Sequence, residues 1–109
     1  MSKSKVESFG ETLRKLREEN KMPLRKLAAL LDLDQSTLSK IERNERKANS
    51  DLIDKLSSIF KVEKKTLQIS FISDKVAYEL LEEENPKDIL KVAEQKINYL
   101  KLNKKPANA

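Results

Sequence analysis

In the stretch LLDLDQSTLSKIER (Leu30–Arg43), apolar residues recur at the spacing of two short helices, and the acidic residues Asp32 and Asp34 interrupt them. Upstream, Leu24, Leu27, Ala28 and Leu31 give the first of these helices an apolar face, with Pro23 placed as a first-turn residue. Asp32 stands where the chain must turn through a left-handed conformation. Glycine adopts that conformation most easily, and Asp or Asn tolerates it because the short side chain bonds the local backbone. Asp34 reads as the N-cap of the next helix, which runs to about Glu42. Leu33 before that cap and Leu38 four residues after it are spaced as a hydrophobic staple. A small residue at Ala28 lets the two helices cross closely, and Leu31, Leu33, Leu38 and Ile41 pack the corner. The stretch predicts two helices meeting at a tight turn.

The composition bounds what such a corner serves. At 109 residues the chain makes one domain, or one small domain with an appendage. One Gly and three Pro among plentiful Lys, Glu, Leu and Ala favour an all-α fold. The absence of Cys and His removes thiol nucleophiles, the imidazole base and the usual zinc ligands, so neither an enzyme nor a metal or other cofactor is expected. The start, MSKSKVESFGETLRK, lacks the apolar core of a secretory signal, and no apolar run approaches bilayer length. A cytoplasmic protein without a membrane partner is the expectation. Residues 1–65 hold 16 Lys and Arg against 11 Asp and Glu, whereas residues 66–109 hold 7 of each, so the whole net charge of +5 lies in the first part. A basic first part suggests a polyanion-binding head, and the neutral remainder suggests another role.

Elsewhere the pattern is also helical. Phe9, Leu13 and Leu16, with Thr12 beside them, mark a first helix, and charges fill its opposite face. Beyond the loop RNERKAN, Ser50 is placed to cap a fourth helix carrying Leu52, Ile53, Leu56, Ile59 and Phe60. A short turn around Thr66 to Ile69 is expected as a fifth. Ser73 and Asp74 read as the start of a sixth helix through Leu81, closed by the acidic run Glu82 to Glu84. Asn85 as N-cap, Pro86 at the first position and Asp88 at the third mark a seventh, carrying Ile89, Leu90, Ala93, Ile97 and Leu100.

Over about residues 8–70 the chain resembles the helix-turn-helix family of phage repressors and Cro, with the bacterial regulators of the same type. LRKLAALLDLDQSTLSKIER and the STLSKIERN segment carry the resemblance. It implies that the third helix lies in the major groove, where Gln35, Ser36 and Lys40, with Thr37 beside them, meet base edges. The side chains suit that role, since Gln pairs with adenine, Lys reaches guanine O6 and N7, and Ser donates or accepts. The resemblance also places Arg43, Asn44, Arg46 and Lys47 at phosphates, and it implies an ion pair between Arg17 and Glu42. Two departures stand out. Where the family often has a Ser or Thr cap followed by a phosphate-binding Gln, this chain has Pro23 and Leu24, leaving Arg25 as the substitute. Asp34 lies close to the expected phosphate path.

The expected organisation is therefore a five-helix DNA-binding domain at residues 1–70, a two-helix hairpin at 71–102 and a disordered tail at 103–109. The hairpin has more apolar surface than two helices bury against each other. Val76, Leu80, Ile89, Ala93, Ile97 and Leu100 are its candidate dimer contacts. The reading is a homodimeric regulator of double-stranded DNA, repressing its own or an adjacent operon from a palindromic operator. Restriction-modification controller, phage-type repressor and antitoxin remain open as its context. The alternative is a protein-interaction module whose hairpin docks an antagonist protein.

Overall fold

The computed structural model describes residues 6–103, and those residues form six helices and no strand. The helices are α1 (Phe9–Glu19), α2 (Leu24–Leu30), α3 (Gln35–Glu42), α4 (Asp51–Phe60), α5 (Lys64–Leu80) and α6 (Pro86–Leu102). The fold is all-α. Two units divide the chain, Met1–Val76 and Ala77–Ala109, with the division inside α5.

The first unit is organised around Leu13, Leu27, Leu31, Leu38 and Leu56, each less than 2% exposed. They come from α1 to α4, so each short helix buries its apolar stripe against the others; none would be stable alone at this length. Phe9 and Phe71 close the cluster with an edge-to-face contact at 5.3 Å between ring centroids. The core therefore reaches Phe71, one residue past the boundary expected at 70.

Helix starts and stops explain the tight connections. Ser8 and Glu11 form a reciprocal capping box at the start of α1. Pro23 occupies the N-cap position of α2, one place earlier than expected, and its carbonyl accepts from Lys26 and Leu27. At the other end of α2, the Asp32 N–H donates to the Ala29 carbonyl and the Leu33 N–H to that of Ala28. Asp32 has φ 60°, the left-handed turn read from the sequence. The same double closure recurs after α1, where Lys21 has φ 52°, and after α3, where Asn44 has φ 64°. A chain whose one glycine lies inside α1 makes these turns with Lys, Asp and Asn.

Three expected features are corrected. The short fifth helix and the sixth are one continuous helix, α5, because Ser73 and Asp74 do not start a new one. The Ser73 hydroxyl bonds back to the Ser70 carbonyl, and the Asp74 carboxylate accepts the Phe9 N–H at 2.9 Å, so it caps α1 instead. Ser50 makes no side-chain cap for α4; Asn49 Oδ1 accepts from the Asp51 N–H at 2.8 Å. Asn85 and Pro86 stand at the expected places at the start of α6, although the Asn85 side chain makes no capping bond. Of the tail expected at 103–109, Asn103 is the C-cap of α6, bonded to the Tyr99 carbonyl, and 104–109 lie outside the described residues.

Among the described residues, one charged side chain is buried. Glu42 is 5% exposed and takes a bidentate pair from Arg17, at 2.7 Å from Nε and 3.1 Å from Nη2. Arg17 Nη1 also donates to the Met22 carbonyl, so one guanidinium joins α1, the α1–α2 turn and α3. The bond to Glu42 raises the Arg17 pKa above its ordinary value, against the opposing effect of burial. Gly10 sits beneath the same end of α3. A Cβ there would run into the Ile41 carbonyl oxygen and lie within 2.9 Å of that of Glu42.

Removing the arginine would leave the Glu42 carboxylate buried without its partner. Arg17→Ala should therefore lower the unfolding free energy by roughly 3–5 kcal/mol. Urea unfolding followed by circular dichroism measures this, and a loss near that of an ordinary surface pair would contradict it.

Candidate nucleic-acid interface

With Leu38, Ile41 and Glu42 buried, the opposite side of α3 faces outward. Gln35, Ser36 and Lys40 are exposed there. Thr37 is half-buried, and its N–H donates to Asp34 Oδ1 at 2.7 Å. Arg25 on α2 and Arg46 and Lys47 in the loop after α3 are also exposed. The first unit thus presents on its surface every side chain that the resemblance assigns to bases, save the half-buried Thr37.

Asp34 carries the question of charge. Its carboxylate is held below its ordinary pKa of 3.8, first by the Thr37 N–H, then by the Thr37 hydroxyl, with smaller help from Arg46 and Lys40. The negative charge that the sequence places near a phosphate path is therefore occupied in closing the start of α3 and is screened by two cations. An anion at a helix N-terminus is also favoured by the helix dipole.

Arg43 has a specific arrangement. It is the C-cap of α3, and its guanidinium lies back along the helix, with Nη1 donating to Ser39 Oγ at 2.7 Å. Nε and Nη2 donate to the two carboxylate oxygens of Glu45, each at 3.1 Å. This pairing, more than any other contact, lowers the Glu45 pKa and raises that of Arg43. Neither Ser39 nor Glu45 was singled out from the sequence; the signal was the Arg and Glu two residues apart around a residue suited to a left-handed turn. Asn44 fills that turn, with its Oδ1 against Gly10, so its first role is to close α3.

The candidate dimer residues fall in both units. Val76, in the first, is exposed. In the second, Leu80 and Ala93 are half-buried, and Ile89, Ile97 and Leu100 are exposed. No residue of α6 is buried, although Leu90, Ala93, Ile97 and Leu100 recur at alternating spacings of three and four.

The Asp34 cap makes a pH-dependent prediction. A carboxylate whose pKa is lower in the folded than in the unfolded state stabilises fully above the unfolded value, and that stabilisation is lost as pH falls through the folded one. Asn caps as well as Asp without a titrating charge. Asp34→Asn should melt close to the wild type at pH 7 and lose less stability on acidification below about pH 4. Thermal melts at pH 7 and pH 3 check this; an unchanged acid limb would show that the Asp34 charge does not contribute.

A family model described as helix-turn-helix, of the Cro/C1 type, matches residues 13–67, about half of the chain. Searches of the curated proteins and of the solved structures return no match. The matched segment contains α2, the left-handed turn at Asp32 and α3 with its outward polar face, and on this ground the chain belongs to the helix-turn-helix family of DNA-binding transcriptional regulators.

Proposed function

We propose that the protein is a homodimeric repressor that binds a palindromic operator of its own or an adjacent operon. Its α3 enters the major groove, where Gln35, Ser36 and Lys40 meet base edges and Thr37 lies beside them. The observation that carries this reading is the outward face of α3, where exposed donors and acceptors stand on a helix anchored to the core by Leu38, Ile41 and Glu42. Arg25, Arg46 and Lys47 hold phosphates to either side, setting affinity and register without reading sequence. The unburied apolar positions of α6 support the dimer. Two copies place two recognition helices about 34 Å apart, one turn of DNA, so that a palindrome matches the symmetry of the protein.

Base and phosphate contacts separate by salt and sequence. Gln35→Ala should cost about 1–3 kcal/mol on a site selected from random DNA and relax the preference at one base position. Lys47→Ala should weaken binding to every sequence and reduce the log-log salt slope by roughly one. Titrations of selected and random duplexes at several salt concentrations distinguish the two. Equal losses on both DNAs for Gln35→Ala would remove it from base reading.

The dimer is tested by deleting 77–109. The core and the Asp74 cap of α1 lie within Met1–Val76, so the shortened chain should stay folded. It should sediment as a monomer and bind the operator roughly 100-fold more weakly, because the two half-sites are no longer linked. Ile97→Asp in the full chain should shift the same equilibrium more gently. Dimers persisting in both variants would place the interface in the first unit and leave the second for another protein.

A further inference from the structure

At 3.6 residues per turn, Arg43 falls in the middle of the exposed arc of α3, with Gln35 and Ser39 to one side and Lys40 to the other. A side chain on a helix points back toward the N-terminus. The bond to Ser39 holds the Arg43 guanidinium in that direction, between the face of α3 and Glu45 of the loop that follows. Arginine has five N–H donors, and three are engaged, two by Glu45 and one by Ser39. One N–H remains on each Nη. With Ser39 taking the inner N–H of Nη1, the two that remain lie along the outer edge of the guanidinium and match the O6 and N7 acceptors of guanine.

The carboxylate of Glu45 decides between a phosphate and a base as the partner. A phosphate at this guanidinium would bring a second full negative charge close to Glu45, and Glu45 already neutralises the attraction. A guanine edge has uncharged acceptors and meets no such opposition. The pairing suppresses the salt-dependent part of the interaction and keeps the directional part. From this geometry we infer that Arg43 reads a guanine in the operator, and that Ser39 and Glu45 are the positioning residues that hold its guanidinium over α3. This assignment rests on the DNA-binding mode proposed above and gives Arg43 a different role from the phosphate contact that the resemblance implies.

The test uses the full chain and sites selected from random duplex DNA by the wild type. Affinity is measured for the selected site, for the same site with each G·C pair replaced in turn by A·T, and for random duplex, across a salt series. Circular dichroism confirms that each variant is folded. For Arg43→Ala, the penalty at one G·C position, roughly 5- to 150-fold in the wild type, should disappear. Because Arg43→Ala alone frees the Glu45 charge, the double variant Arg43→Ala/Glu45→Gln is the neutral comparison: it should lose the same G·C preference and keep the wild type's affinity for random DNA and its salt slope. Glu45→Gln should bind random DNA more tightly, with a steeper salt slope, and discriminate less at that same position.

Equal losses on selected and random DNA for Arg43→Ala/Glu45→Gln, with the slope reduced by about one, would make Arg43 a phosphate contact and overturn the inference. Unchanged discrimination in Glu45→Gln would remove Glu45 from the positioning role. A wild type that selects no site would overturn the regulator reading itself. Sequence preference lost in Gln35→Ala but intact in Arg43→Ala would keep that reading and overturn this one.

Discussion

The buried pair of Arg17 and Glu42 is the constraint on which the presentation of α3 depends. A carboxylate at 5% exposure is stable only when its charge and both oxygens are answered, and a bidentate guanidinium does this with fixed geometry. Because the same guanidinium also holds the Met22 carbonyl, the turn that leads into α2 is tied to the end of α3. Gly10 lets α1 approach the last carbonyls of α3 more closely than any side chain would permit. Helix α3 has only 8 residues and cannot be stable alone. Its position is imposed from underneath, which leaves the outward face free to vary in chemistry.

That outward face is electrostatically moderated. Two acidic residues stand among the cations, and each has an assigned partner: Asp34 takes the Thr37 N–H, and Glu45 takes Arg43. Arg46 and Lys47 form no ion pair among those described. Non-specific affinity for DNA rises with every unopposed cation, and a regulator that must discriminate gains from directional contacts more than from added charge. Carboxylates at 34 and 45 offset part of the positive charge on this face and fix the groups they bind.

The C-terminal unit obeys a different rule. In the first unit apolar positions at helical spacing are buried, whereas in α6 the same spacing leaves Leu90, Ile97 and Leu100 between 47% and 61% exposed. Periodicity shows that a helix has an apolar face, and burial depends on what lies against it. This difference is what makes the second unit the place to test assembly.

Much of the head was legible in the sequence because its signals are local. The spacing of Leu27, Leu31, Leu38 and Ile41, the left-handed turn at Asp32 and the cap at Asp34 each depend on a few neighbouring residues, and each stands as read. The pair of Arg17 and Glu42 was reached through the family resemblance, since no local rule joins residues 25 apart. The sequence misled where a residue with a local propensity was used at long range. Asp74 has the character of an N-cap, yet it caps α1 across 65 residues, so α5 continues through the point where a new helix was expected. The need for glycine at position 10 and the hold of Ser39 and Glu45 on Arg43 are likewise invisible until the backbone brings the groups together. The sequence alone determined the helices of the corner and of α1, α4 and α6, where the corner lies and which family it belongs to, because periodicity and capping are short-range; the continuity of α5 it did not. Tertiary structure decided which polar groups are bound to one another and which remain for a partner, because hydrogen-bond partners are assigned by proximity in space.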